Sequence, residues 1–403
     1  MEKLLETFKA LKQKNLSIDL TRGKPHSDQL DLSNNLMTQA VDPIGENGVD
    51  LRNYGEPIGI IEARKLGADI LDSKIDLTIA GEQSSYLLMT QLLLGRFLFG
   101  LDDDPWKNDK EPAFLCAVPG FDRHFATLEG LGLKMHTVNL CSSGIDLDDL
   151  NKKLSKYRNI KGLICVPRHS NPSGEVFSDE NITNLLKITK EYNSSFINLF
   201  DHAYLIHDFL PTPEQMPLWE VAVKMNVQNQ TVITTSFSKV TFGGGGISFM
   251  ATAGYSLELI KKVRTTMIIC PDKLNQKRHV EFFKNAESVK KHMQKHAELV
   301  RPKFEIAYSH LEKLPKECGT FSRPTGGYFI TYRTTKPIAT KVVELCKELG
   351  VLITPAGSTF PNNYDPNDSV IRLAPTYVSK DELEDAMEVF TTSIQIAHFD
   401  IKV

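Results

Sequence analysis

Four short polar clusters have residue types able to carry chemistry: Pro119-Gly120-Phe121, Asn171-Pro172-Ser173-Gly174, Asp201-His202-Ala203-Tyr204 and Ser236-Phe237-Ser238-Lys239. A lysine amine attacks carbonyl carbons, a carboxylate holds a proton on a neighbouring base, and amide or phenol donors favour an ionised oxygen. Singly, each cluster has an ordinary reading. Asn-Pro-Ser-Gly is a turn, an Asp at a strand end is a cap, and Ser-x-Ser-Lys arises by chance. Order and spacing set them apart, with 30 residues from Asn171 to Asp201 and 38 more to Lys239.

Each cluster follows a short apolar run. Ala113 to Val118, Met135 to Leu140, Gly162 to Val166, Phe196 to Phe200, Thr231 to Ser236 and Ile247 to Ala251 read as strands. They alternate with amphipathic stretches between about residues 60 and 250, which predicts an α/β fold with a mostly parallel sheet covered by helices. Ligands of such sheets sit beyond the carboxyl ends of the strands, where the clusters lie. From Ser288 to Leu314 a helical period persists except at Pro302, a site for a kink, and predicts a helix leading into a second domain. Beyond it, strands at Tyr328 to Tyr332, Val351 to Thr354 and Ser369 to Leu373, with helices at Ile338 to Leu349 and Lys380 to Ala397, suit a smaller α+β domain. The expected division is an N-terminal arm with part of the small domain (1–45), a large domain (46–295) and a small C-terminal domain (296–403).

Composition narrows the function classes. A chain of 403 residues exceeds one core. Its 47 basic and 50 acidic residues nearly balance, at a net charge of -3, and no basic surface interleaved with aromatics argues for nucleic acid. The apolar run Tyr86 to Leu101 is broken by Gln91 and Arg96, so no membrane span is expected. Glu2, Lys3, Glu6 and Lys9 among Leu4, Leu5, Phe8 and Leu11 read as a surface helix rather than a signal peptide, which points to the cytoplasm. Six scattered cysteines (Cys116, Cys141, Cys165, Cys270, Cys318, Cys346) read as buried reduced thiols, not metal ligands or disulfides. Asp102-Asp103-Asp104 before Pro105 reads as an exposed turn, and no metal is expected.

Together the clusters resemble the fold type I pyridoxal-phosphate enzymes, which place an Asn, an Asp-x-x-Tyr and a Ser-x-x-Lys in this order at comparable separations. The resemblance extends to Gly23-Lys24-Pro25, Tyr54 before Gly59 and Glu62-Ala63-Arg64, Pro324-Thr325-Gly326-Gly327, Pro355-Ala356-Gly357 and Arg372. Within that family, Leu20-Thr21-Arg22-Gly23-Lys24-Pro25, Pro119-Gly120-Phe121-Asp122-Arg123-His124-Phe125 and Asp272-Lys273-Leu274-Asn275-Gln276 look like a bacterial subgroup of aspartate aminotransferases.

The resemblance implies a large domain with a mostly parallel seven-stranded sheet between helices, a smaller α+β domain, and an obligate homodimer. It also implies transamination between an amino acid, aspartate first, and 2-oxoglutarate. Lys239 would carry pyridoxal 5'-phosphate as a Schiff base and shuttle the proton. Asp201 would keep the pyridine nitrogen protonated, while Asn171 and Tyr204 would donate to the phenolate oxygen. Phe121 would stack on the ring. Ser84 and Ser85 after Gly81-Glu82-Gln83, with Ser236 and Ser238, would cradle the phosphate at a helix start. Tyr54 would reach the phosphate of the neighbouring subunit. Arg372, with Asn171, would grip the substrate α-carboxylate, and Arg22 beside Gly23, or Arg278 from the partner, would meet a distal carboxylate. β-Elimination, decarboxylation and a non-catalytic cofactor sensor are rival outcomes of the same scaffold.

One position departs from the family. An arginine commonly stands eight residues after the lysine and pairs with the phosphate, whereas here Gly243 to Gly246 run into Ile247. Backbone amides and hydroxyls, or one of Arg22, Arg123, Arg168 and Arg278, would have to replace it. His124, His169, His202 and His279 flank the landmarks and read as packed or hydrogen-bonded side chains.

Overall fold

The computed structural model describes residues 2–100 and 104–402. Its central sheet orders eight strands as Thr78–Gly81, Ser248–Thr252, Thr231–Ser236, Ile197–Asp201, Ile160–Cys165, Ala113–Val118, Lys134–Cys141 and Gly144–Ile145. The five from Thr231–Ser236 to Lys134–Cys141 run parallel. Ser248–Thr252 is antiparallel to both neighbours, and Gly144–Ile145 is a two-residue antiparallel return of Lys134–Cys141. Seven full strands thus match the expected mostly parallel sheet, and the eighth is a short hairpin at its edge.

Apart from Lys134–Cys141, where only Val138 is buried, the full strands are buried on both faces because a side chain of period two meets helices whichever way it points. Phe114, Cys116, Ile164, Leu199 and Val232 enter one apolar layer, and Leu115, Leu163, Cys165, Phe200 and Ile233 the other. Each such side chain contributes roughly 1.5–3 kcal/mol by leaving water. The layers hold the strand ends, and so the clusters, in fixed relation. The strand Thr78–Gly81 had no sequence signal, because only Ile79 and Ala80 are apolar and a glycine ends it.

The smaller domain has a three-stranded antiparallel sheet of Gly319–Phe321, Ile330–Thr334 and Val370–Leu373. Ile18–Leu20 pairs with Val351–Ile353, and the helix Glu2–Gln13 packs Phe8 and Leu11 into the core that holds Phe390. The helix expected around Ser288 to Leu314 spans Ala286–Leu311 and continues through Pro302 as one element. Asn285 caps its start by accepting from the Ser288 amide.

All six cysteines are free. Cys116, Cys165, Cys318 and Cys346 are buried, but Cys141, the last residue of its strand, is exposed and Cys270, in the loop after the helix Gly254–Met267, is partly so. Among the described residues no helix is long and apolar enough to cross a membrane. Asp102 and Asp103, the centre of the expected acidic turn, lie outside the described residues.

Candidate active site

The parallel strands deliver Asp201, Asn171 and Lys239 to one edge of the sheet. Asp201 is the last residue of its strand and is buried. Its Oδ2 lies 3.0 Å from His124 Nε2, while its Oδ1 is buried with no hydrogen-bond partner. A carboxylate oxygen left bare in a dry pocket is costly unless a ligand donates to it. His124 reaches it from the first turn of the helix Asp122–Gly130, with its ring edge against Phe121 at 5.0 Å between centroids.

Lys239 follows the strand Thr231–Ser236, and its Nζ sits 4.8 Å from the centre of the Tyr204 ring. Burial pushes its pKa down and Asp201 pushes it back up, with burial prevailing. A lowered pKa makes the neutral, nucleophilic amine more abundant. Burial, reinforced by Tyr328, holds the Tyr204 phenol protonated well above its usual range, although Arg372 opposes the shift. Tyr204 therefore stands as a donor.

Arg372 is buried, yet its contacts are long: 3.4 Å to Asn171 Oδ1, 3.4 Å to Asp122 Oδ1, 3.3 Å to Thr354 Oγ1 and 3.5 Å to the Thr21 carbonyl. Its guanidinium carbon lies 4.9 Å from the Phe329 ring centre. Burial lowers its pKa, but an arginine stays charged. A fork without a tight carboxylate partner is suited to bind one. Gly23 belongs to this arrangement, since a Cβ there would overlap the Phe329 ring.

A second sub-site lies where Gly81 to Ser85 meets Ser236 to Ser238. Ser84 is the N-cap of the helix Ser85–Leu98, and its hydroxyl makes no capping bond. Ser236 and Ser238 hydroxyls stand 3.2 Å apart, and Ser238 donates to the Gln83 carbonyl. The unpaired amides and positive end of a helix start bind anions. Glu82 would repel an anion, but fully buried Arg264 holds it through two bonds of 2.9 and 3.0 Å and also grips Gln91 and the Pro57 carbonyl.

Other expected residues stand apart. Tyr54 is 75% exposed on a surface loop. Arg22 and Arg123 are exposed, and Arg278 is half-buried with its Nε unpartnered. Arg168 is engaged elsewhere: it grips Asp208 at 2.8 and 2.9 Å and lines, with His202, a separate cavity of about 610 Å³. It is thereby removed from the phosphate candidates. Ile247 is 1% exposed, packed into the core. His169 contacts Asp208 at 2.6 Å and His279 contacts Thr241 at 3.0 Å, so both are hydrogen-bonded as read. His202 has no hydrogen bond at Nδ1, and burial pushes its pKa down to about 3. Sequence reasoning gave no role to His124, Arg264, Asn275 or Gln276. The three-residue step from Phe121 to His124, on one helix face, was the available signal for the first.

A buried amine beside a donor phenol, a half-paired carboxylate and a carboxylate-ready arginine suit amine transfer at a carbonyl, with an anionic group anchored at the helix start. The comparisons agree. A family model described as aspartate amino-transferase matches residues 1–403. The aspartate aminotransferase of Corynebacterium glutamicum is 34% identical over 405 residues, covering 98% of this chain and 93% of that protein. The crystal structure of an aspartate transaminase from Corynebacterium glutamicum superposes with a TM-score of 0.93 at 33% identity, covering 99% and 95% of the two chains. At 20% identity, where only the fold is informative, the α-aminoadipate aminotransferase LysN of Thermus thermophilus, complexed with N-(5'-phosphopyridoxyl)-L-leucine, gives 0.77 over 96% and 94%. The chain belongs to the aspartate aminotransferase family and is a pyridoxal-phosphate-dependent aminotransferase.

Proposed function

We propose that the protein moves the amino group between L-aspartate and 2-oxoglutarate, with pyridoxal 5'-phosphate attached through Lys239. The observation that carries this reading is the bare Asp201 Oδ1, aligned by His124 on Oδ2, with Lys239 under its influence. Bound there, the cofactor supplies an electron sink for the substrate α-carbon. Asp201 would hold a proton on the cofactor's ring nitrogen, Asn171 and Tyr204 would donate to its ring oxygen, and Phe121 would pack on its ring. Lys239 Nζ, as a neutral amine, would take the proton from the substrate α-carbon and return one. Arg372 fixes the α-carboxylate in two parallel bonds, which sets the orientation of the α-carbon hydrogen toward Lys239. Ser84, Ser85 and Ser236 donate to the phosphate.

The reading includes a homodimer working in the cytoplasm on small amino and oxo acids, without nucleic acid. Exposed Tyr54 supports it: the Lys273 ammonium donates to the Asn53 and Tyr54 carbonyls, which fixes the loop while its aromatic side chain stays free to meet a partner. Arg22 and Arg278 are the residues assigned to the distal carboxylate. Single turnover with aspartate and with alanine tests the substrate: a strong aspartate preference lost in Arg22→Ala or Arg278→Ala supports the assignment. Release of pyruvate or ammonia without an oxo-acid acceptor would instead reveal elimination.

A further inference from the structure

Buried Ile247 stands where the family resemblance places a phosphate-pairing arginine, and the first turn of the helix Lys273–Phe283 is bonded to Ala80 and Gly81 on one side and to Gly245 and Gly246 on the other. Asp272 caps this helix by accepting from the Asn275 amide at 2.9 Å. Asn275 Nδ2 donates to the carbonyls of Gly245 and Gly246 at 3.0 and 3.1 Å. Gln276, 1% exposed, donates through Nε2 to the carbonyls of Ala80 and Gly81 at 3.2 and 3.1 Å, and its Oε1 accepts from the Ile60 amide at 3.0 Å. Two adjacent side-chain amides therefore fasten the segment entering Glu82 to Ser85 and the glycine run after Lys239.

The choice of carbonyls has an electrostatic result. Carbonyl oxygens repel a phosphate dianion, and here four of them are turned onto the helix. The peptide bonds concerned are trans, so each N–H points opposite its captured carbonyl. The amides of Gly81, Glu82, Gly246 and Ile247 are accordingly turned away from the helix Lys273–Phe283. Gly246 is needed for this approach, since a Cβ would come within 2.9 Å of the Phe237 and Phe242 backbone. Arg264 meanwhile removes the Glu82 carboxylate from the sub-site.

We propose that Asn275 and Gln276 are positioning residues for the cofactor phosphate, holding a cup of neutral donors in the shape that replaces an ion pair at position 247. The inference rests on the cofactor reading above. Its test titrates pyridoxal 5'-phosphate and phosphate-free pyridoxal, by absorbance, into cofactor-depleted full-length protein. Asn275→Ala should weaken the phosphate compound about tenfold and pyridoxal less than about twofold, the loss of one polar anchor. Equal losses for the two compounds, or none, overturn the proposal. Should that variant not fold, Arg123→Gln on an exposed side chain decides the matter: unchanged selectivity for the phosphate compound is expected, and a loss of about tenfold would reveal a cationic partner and overturn it. Binding of neither compound to the unaltered protein would sink the cofactor reading itself.

Discussion

At one end of the site Asp201, His124, Lys239 and Arg372 bring ionisable groups into buried surroundings; at the other, Ser84 and Ser236 carry neutral hydroxyls, and Asn275 and Gln276 tie down the backbone beside them. Burying charge is costly and is sustained only by partners or ligands. On the proposed reading, the chain keeps ionisable groups where protons move and bonds change. Where a ligand has only to be held, hydrogen bonds fixed by packing suffice. At the anchoring end Arg264 pairs with Glu82 and serves the shape of the loop.

The largest effect that tests this contrast is expected from Asp201→Ala. Removing a buried charge partner costs about 3 kcal/mol, so kcat should fall by roughly 10²-fold or more in steady-state assays. The same variant should alter the pH profile of pyridoxal capture. Lys239 has a lowered pKa, so capture rises as pH climbs through that lowered value and the amine loses its proton. Asp201 raises that pKa, so its loss should move the profile toward lower pH; a shift toward higher pH would break the electrostatic picture.

Arg372→Lys comes next. Replacing a planar fork by a point charge should cost about 1.5 kcal/mol, roughly tenfold in kcat/KM, with a rise in KM for every amino acid tested. Ser84→Ala sharpens the comparison from the other end. Loss of one neutral donor should weaken cofactor binding by about 1 kcal/mol, roughly fivefold, and leave kcat at saturating cofactor within about twofold. A kcat loss as large as that of Asp201→Ala would erase the distinction between the two ends.

The parts of this arrangement legible in the sequence were those written in local pattern. The parallel strands announced themselves as apolar runs, and Asn171, Asp201, Tyr204 and Lys239 followed from inspecting their carboxyl ends. Thr78–Gly81 stayed hidden because four residues with two apolar members carry no period. The pairing of His124 with Asp201, 77 residues apart, and of Gln276 with Ala80 and Gly81, almost 200 residues apart, depends on how distant segments pack. Arg168 misled for the same reason: its partner Asp208, 40 residues on, could not be read from spacing.

The measurement closest to the central claim is the absorbance spectrum of the purified protein and of Lys239→Ala, before and after L-aspartate and then 2-oxoglutarate. The unaltered protein should show a visible cofactor band that aspartate removes and 2-oxoglutarate restores, with no such cycle in Lys239→Ala. An unaltered protein that binds no cofactor, or a Lys239→Ala protein that completes the cycle, would contradict that claim.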